Sequence, residues 1–98
     1  MMEQKMDRQV FSDVWHALED TPAEASNMSM RAALLIAIEQ KVLSWNLSQV
    51  DAATRLGITQ PRLNDLLRGR VEKFSLDALV TLAAKAELSV EIVISNAA

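Results

Sequence analysis

The sequence predicts an all-α fold of five helices, closed by one C-terminal β-strand. Three observations predict it. Half of the 98 residues are apolar, yet only two are glycine and two proline, among many Ala, Leu, Glu, Gln and Arg, a composition that favours helices. Apolar residues recur at three- and four-residue intervals over most of the chain, the period of an amphipathic helix. Only the end breaks that rule: in "SVEIVIS", residues 89–95, Val90, Ile92 and Ile94 alternate with Glu91, Val93 and Ser95 at the period of a strand. A chain of this length builds one modest core, burying about two-thirds of its unfolded surface.

The elements follow in order. The first ten residues show no clear period. Phe11, Val14, Trp15 and Leu18 are spaced i, i+3, i+4, i+7, which predicts a short amphipathic helix. Two large aromatics on so short a helix need a surface, either this protein's own body or a partner protein. Thr21-Pro22-Ala23-Glu24 has the form of a helix start, with Thr as cap and Pro in the first turn. In "MSMRAALLIAIEQKVLSW" the stripe Met30, Leu34, Ile38, Val42 and Trp45 predicts a long helix over 28–45, which Asn46 and Leu47 interrupt. Ser48 caps the next helix, with Asp51 three residues on, and Gly57 stops it. Thr59 caps another, Pro61 is harmless in its first turn, and Arg68-Gly69 ends it. Ser75 opens the last helix, with Leu76, Leu79, Val80 and Ala83 turned inward.

Charge divides the chain in two. Residues 1–27 carry Glu3, Asp7, Asp13, Glu19, Asp20 and Glu24 against Lys5 and Arg8, a balance of −4. Residues 51–74 carry Arg55, Arg62, Arg68, Arg70 and Lys73 against Asp51, Asp65 and Glu72, a balance of +2. The formal net charge of −3 therefore hides a cationic segment, and phosphate is neutralised locally. This division sets the expected organisation: an acidic leader with a short amphipathic helix over 1–27, and a helix-turn-helix domain with a dimerisation strand over 28–98.

Several function classes have no support. There is no cysteine, hence no disulfide or thiolate metal site, as befits a reducing cytoplasm. No apolar run approaches the roughly 20 residues of a membrane span, and the charged start is no signal peptide. His16 is the only histidine, Glu19-Asp20 the only adjacent pair of carboxylates, and no glycine loop cradles phosphate. The sequence thus predicts no catalysis, no metal and no cofactor.

The segment "GITQPRLNDLLRGR", Gly57 to Arg70, carries the functional reading. Two short helices joined by a glycine turn form a helix-turn-helix, and the second enters a groove only if the pair crosses at a steep, fixed angle. Ala53 supplies the small residue at the crossing, Gly57 the turn, and Ala52, Leu56, Ile58, Leu63 and Leu66 the anchors beneath. That leaves Thr59, Gln60, Pro61, Arg62, Asn64, Asp65 and Arg68 outward. Gln and Asn pair with adenine edges and Arg with guanine, and the helix N-terminus is the end that points into the major groove. Thr59, Gln60, Arg62, Asn64 and Asp65 are accordingly the expected base-reading residues. Ser48 and Gln49, at the start of the preceding helix, and Arg68, Arg70 and Lys73 are expected on the DNA backbone. Asp65 repels phosphate and is expected to accept from cytosine or to orient Arg62 or Arg68, lowering non-specific affinity.

At these residues the chain resembles a known family. "LSQVDAATRLGITQPRLNDLLRG" is similar to the helix-turn-helix of Cro/cI-like regulators, the xenobiotic-response-element family, and "FSDVW", "TQPR" and "FSLD" resemble its HigA-like antitoxin branch. The resemblance spans Phe11 to Ile94. It implies a five-helix, lambda-repressor-like helix-turn-helix domain that binds double-stranded DNA as a dimer, often as a repressor of its own operon. It further implies neutralisation of a RelE-like ribonuclease toxin, with the acidic leader and Phe11, Trp15 and Leu18 as the candidate partner-binding surface.

The strand carries its own implication. A lone strand leaves its amides and carbonyls unpaired, and no second strand is visible in the sequence. Pairing with the same strand of another copy, through Val90, Ile92, Val93 and Ile94, predicts an isologous homodimer and a near-palindromic operator.

Overall fold

The computed structural model describes residues 21–96, so the expected helix at 11–18, with Phe11, Trp15, Leu18 and His16, lies outside the described residues. Within them the chain forms α1 (Pro22–Ser44), α2 (Gln49–Leu56), α3 (Gln60–Leu67), a 3-10 turn (Val71–Lys73) and α4 (Leu76–Lys85).

Helix α1 begins at Pro22, six residues before the expected start at 28. The Thr21 hydroxyl accepts a hydrogen bond from the Glu24 amide at 3.0 Å, and no breaker separates that cap from the apolar stretch beyond it. The buried side of α1 also differs from the expected one. Met28, Leu35, Ile38 and Val42 are buried, Leu34 is only half-buried, and Met30 is 51% exposed. The reason is twofold. Apolar residues also lie off the buried side, Met30, Ile36 and Leu43 among them, so periodicity alone does not single out a face. In addition, Arg31 sits on the buried seam with its polar head satisfied: its Nε donates to Asn27 Oδ1 at 2.8 Å and its guanidinium to the Phe74 carbonyl at 3.1 Å. The helix ends where Asn46 takes a left-handed conformation, φ 54°, which asparagine tolerates better than most residues.

Helices α2 and α3 form as the local signals dictate. Ser48 Oγ accepts from the Asp51 amide at 3.1 Å, and Thr59 Oγ1 from the Arg62 amide at 3.2 Å. Between them Gly57 is left-handed at φ 70°. Its amide donates to the Thr54 carbonyl and that of Ile58 to the Ala53 carbonyl, both at 3.0 Å, which closes the end of α2 in a Schellman motif. The same closure ends α3, with Gly69 left-handed and the Arg70 amide on the Asp65 carbonyl. It recurs after α4, where Glu87 occupies the left-handed position.

The core is built from Leu35, Ile38 and Val42 of α1, Ala52, Ala53 and Leu56 of α2, Leu63 and Leu66 of α3, Phe74, and Leu79, Leu82 and Ala83 of α4, with Ala86 just beyond it. Leu76 and Val80, expected inward, are half-buried and exposed respectively. They instead line an apolar groove of about 670 Å³ between α1, α4 and residues 88–93, together with Met30, Ala33 and Leu34. Residues 89–95, expected as a strand, form no ladder among the described residues, which offer no strand to pair with. Val90, Ile92, Val93 and Ile94 are exposed there. Among the described residues, no helix is long and apolar enough to cross a membrane.

Candidate nucleic-acid interface

Helix α3 rests on Leu63 and Leu66, both fully buried, and Ala53 of α2 is buried in the same core. At about 100° per residue, this seat turns Pro61, Asn64, Asp65 and Arg68 to the opposite side of α3. Pro61 and Arg68 are exposed, and Asn64 and Asp65 are half-buried. Thr59 and Gln60 are exposed at the open N-terminus, where Thr59 satisfies one amide and the helix end carries partial positive charge. Thr59, Gln60, Asn64 and Arg68 therefore share one accessible edge. Ser48 and Gln49 are exposed at the N-terminus of α2, a position suited to a phosphate.

Arg62 is placed differently. It lies on the flank of α3 with its guanidinium 4.0 Å from the centre of the Phe74 ring, and donates to the Lys73 carbonyl at 2.7 Å. Arg31 reaches the next carbonyl, that of Phe74, from α1. Two guanidiniums thus grip consecutive carbonyls of the turn after α3, and the Phe74 ring is buried in the core. In the free chain Arg62 is a strut that fixes α3 against this turn. Neither Arg31 nor Phe74 was singled out in the sequence. The only signal was a lone arginine in an apolar run, "MSMRAALL".

The expected partners of Asp65 are also corrected. It pairs with neither Arg62 nor Arg68. Arg70 donates to Asp65 Oδ1 at 3.0 Å, because the left-handed Gly69 reverses the chain and returns residue 70 to the last turn of α3. Arg68 and Lys73 are exposed, and among the described residues neither is in an ion pair. Arg55 faces elsewhere, stacked 4.0 Å over Trp45 and 3.8 Å from Glu87. The cationic groups of this surface are thus of two kinds: Arg62 and Arg70 are held by the protein itself, while Arg68 and Lys73 have no ion pair among the described residues.

A family model described as a helix-turn-helix domain matches residues 17–95, a span that includes every helix described above. No curated protein matches the chain significantly.

Proposed function

From the premise that this chain belongs to the helix-turn-helix domain family and is a DNA-binding regulator, we propose that it is a cytoplasmic, dimeric repressor that inserts α3 into the major groove. The observation that carries this reading is the edge on which Thr59, Gln60 and Arg68 are exposed beside the half-buried Asn64, mounted on a helix seated by Leu63 and Leu66. A helix placed in a groove needs a rigid seat, and its polar N-terminal residues then meet base edges. Gln60 and Asn64 have the donor-acceptor pair that matches adenine, while Ser48, Gln49, Arg68 and Lys73 are positioned for phosphates.

The exposed C-terminal segment supports the homodimer. Ile92, Val93 and Ile94 are each more than 80% exposed and have no ladder, an aggregation hazard unless a second strand pairs with them. Antiparallel pairing of two copies would satisfy the backbone and carry these side chains toward the apolar groove between α1 and α4. Two recognition helices related by a two-fold axis would read half-sites about 34 Å apart. The acidic leader supports a second activity, masking a RelE-like toxin as an autoregulating antitoxin does.

Gln60→Ala tests the DNA reading better than Arg62→Ala, because Arg62 is also a strut. It is expected to weaken binding to the selected DNA site by about 1–3 kcal/mol and to relax selectivity at one base pair. A co-produced toxin should remain bound to that variant, and deleting residues 1–20 should do the reverse. Unchanged affinity and selectivity in Gln60→Ala would remove Gln60 from the reading edge.

A further inference from the structure

We propose that Asp65 and Arg70 form a selectivity latch that withholds Arg70 from the phosphates of non-cognate DNA; this rests on the DNA-binding reading above. The pair is tied into the fold at both ends. The Arg70 amide is bonded to the Asp65 carbonyl at 3.0 Å, and the Arg70 guanidinium to Asp65 Oδ1 at 3.0 Å. The backbone bond holds the two residues at a fixed separation, so little further freedom is lost when the side chains meet. This distinguishes the pair from a casual surface contact, whose gain is largely offset by the cost of ordering two long side chains.

The exposure of the two partners is unequal. The Asp65 side chain is 20% exposed, on the outward side of α3, whereas that of Arg70 is 41% exposed. A phosphate approaching Arg70 must come close to the carboxylate, whose charge opposes it, or draw the guanidinium away. Among the described residues, neither Arg68 nor Lys73 is paired with a carboxylate. On a cognate site, an amino donor on a base edge, as cytosine presents in the major groove, can bond the second carboxylate oxygen and offset the repulsion. On other sequences nothing does. The latch therefore penalises non-specific binding more than specific binding, and the acid on a reading surface acts on discrimination rather than on total affinity.

The full-length protein, Asp65→Asn, Arg70→Ala and the double variant are compared by fluorescence anisotropy. The probes are a random-sequence duplex and a duplex from immediately upstream of the coding sequence, titrated from about 50 to 200 mM salt, where counterion release is read directly. Asparagine keeps an oxygen acceptor for Arg70, and thermal melting confirms that each variant is folded. Asp65→Asn is expected to bind the random duplex roughly threefold more tightly at the lowest salt, and to steepen its salt slope by about 1.8, one further phosphate for each copy of the dimer. Its affinity for the upstream duplex should rise less, and the gain on the random duplex should vanish in the Arg70→Ala background. The latch is overturned if Asp65→Asn leaves random-duplex affinity and slope unchanged, or if the gain persists without Arg70, which would mark it as general charge removal. Absence of binding by the wild type to both duplexes would overturn the DNA-binding reading itself, and the latch with it.

Discussion

Phe74→Ala is expected to destabilise the protein by about 3–5 kcal/mol, the usual range for removing a buried phenylalanine. Phe74 is 1% exposed in the core, and its ring supports the Arg62 guanidinium. Removing the ring opens a cavity in the core. It also takes away a cation-π contact worth about 0.5–1 kcal/mol at a partly exposed site. Arg62 and Arg31, which hold the carbonyls of residues 73 and 74, then lose the surface that orders the turn. Small domains have total stabilities near 5–15 kcal/mol, so a large share of the fold's margin is removed. In a domain of this size each 1 kcal/mol moves the melting temperature by about 4–8 °C. Thermal unfolding followed by circular dichroism should therefore show a fall of more than about 12 °C. A fall of only a few degrees would show that Phe74 is not the common support of these elements.

Ile92→Asp is expected to have the largest effect on DNA binding while leaving the folded chain nearly untouched. Ile92 is 82% exposed in the single chain, so the substitution should change its intrinsic stability by no more than about 0.5 kcal/mol. Across a two-fold strand pair it would place two carboxylates close together in an apolar setting. Loss of the dimer removes the second recognition helix, and losing bivalency weakens binding by about 10²–10⁴-fold. Light scattering at micromolar concentration should report a dimer for the wild type and a monomer for Ile92→Asp, with operator binding lost in parallel. A monomeric wild type, or a variant that stays dimeric and binds normally, would contradict strand-mediated pairing.

What was legible in the sequence was local. Thr21, Ser48, Thr59 and Ser75 each cap the helix expected of them, because a cap needs only its own hydroxyl and an amide three residues on. Gly57 and Gly69 end helices for an equally local reason, the left-handed dihedrals of the turn. The anchors Ala52, Leu56, Leu63 and Leu66 followed from spacing on short, clearly amphipathic helices. What was not legible depended on distant partners. Of the stripe expected on α1, Ile38 and Val42 are buried and Leu34 and Trp45 pack against the core, but Met30 is exposed and Met28 and Leu35 are buried instead, since the seam also depends on Arg31 meeting the Phe74 carbonyl, 43 residues away. The stacking of Arg62, expected as a base-reading residue, on the Phe74 ring was not legible, since nothing near it in sequence marks that ring. The partner of Asp65 was missed because pairing at i+5 arises only when a left-handed glycine reverses the chain. The alternation at 89–95 was correctly seen as a pattern, but a pattern does not supply a second strand.

The most direct test of the central claim, that α3 and its flanks bind DNA as a reading surface, is anisotropy with a duplex from immediately upstream of the coding sequence over a salt series. Arg68, Arg70 and Lys73 from two copies would neutralise roughly six phosphates, so log K should fall linearly with log salt with a slope of about −5. Affinity for this duplex should exceed that for random DNA by at least about 10³-fold at physiological salt. Binding that is absent, or that shows neither salt dependence nor preference between the two duplexes, would contradict it.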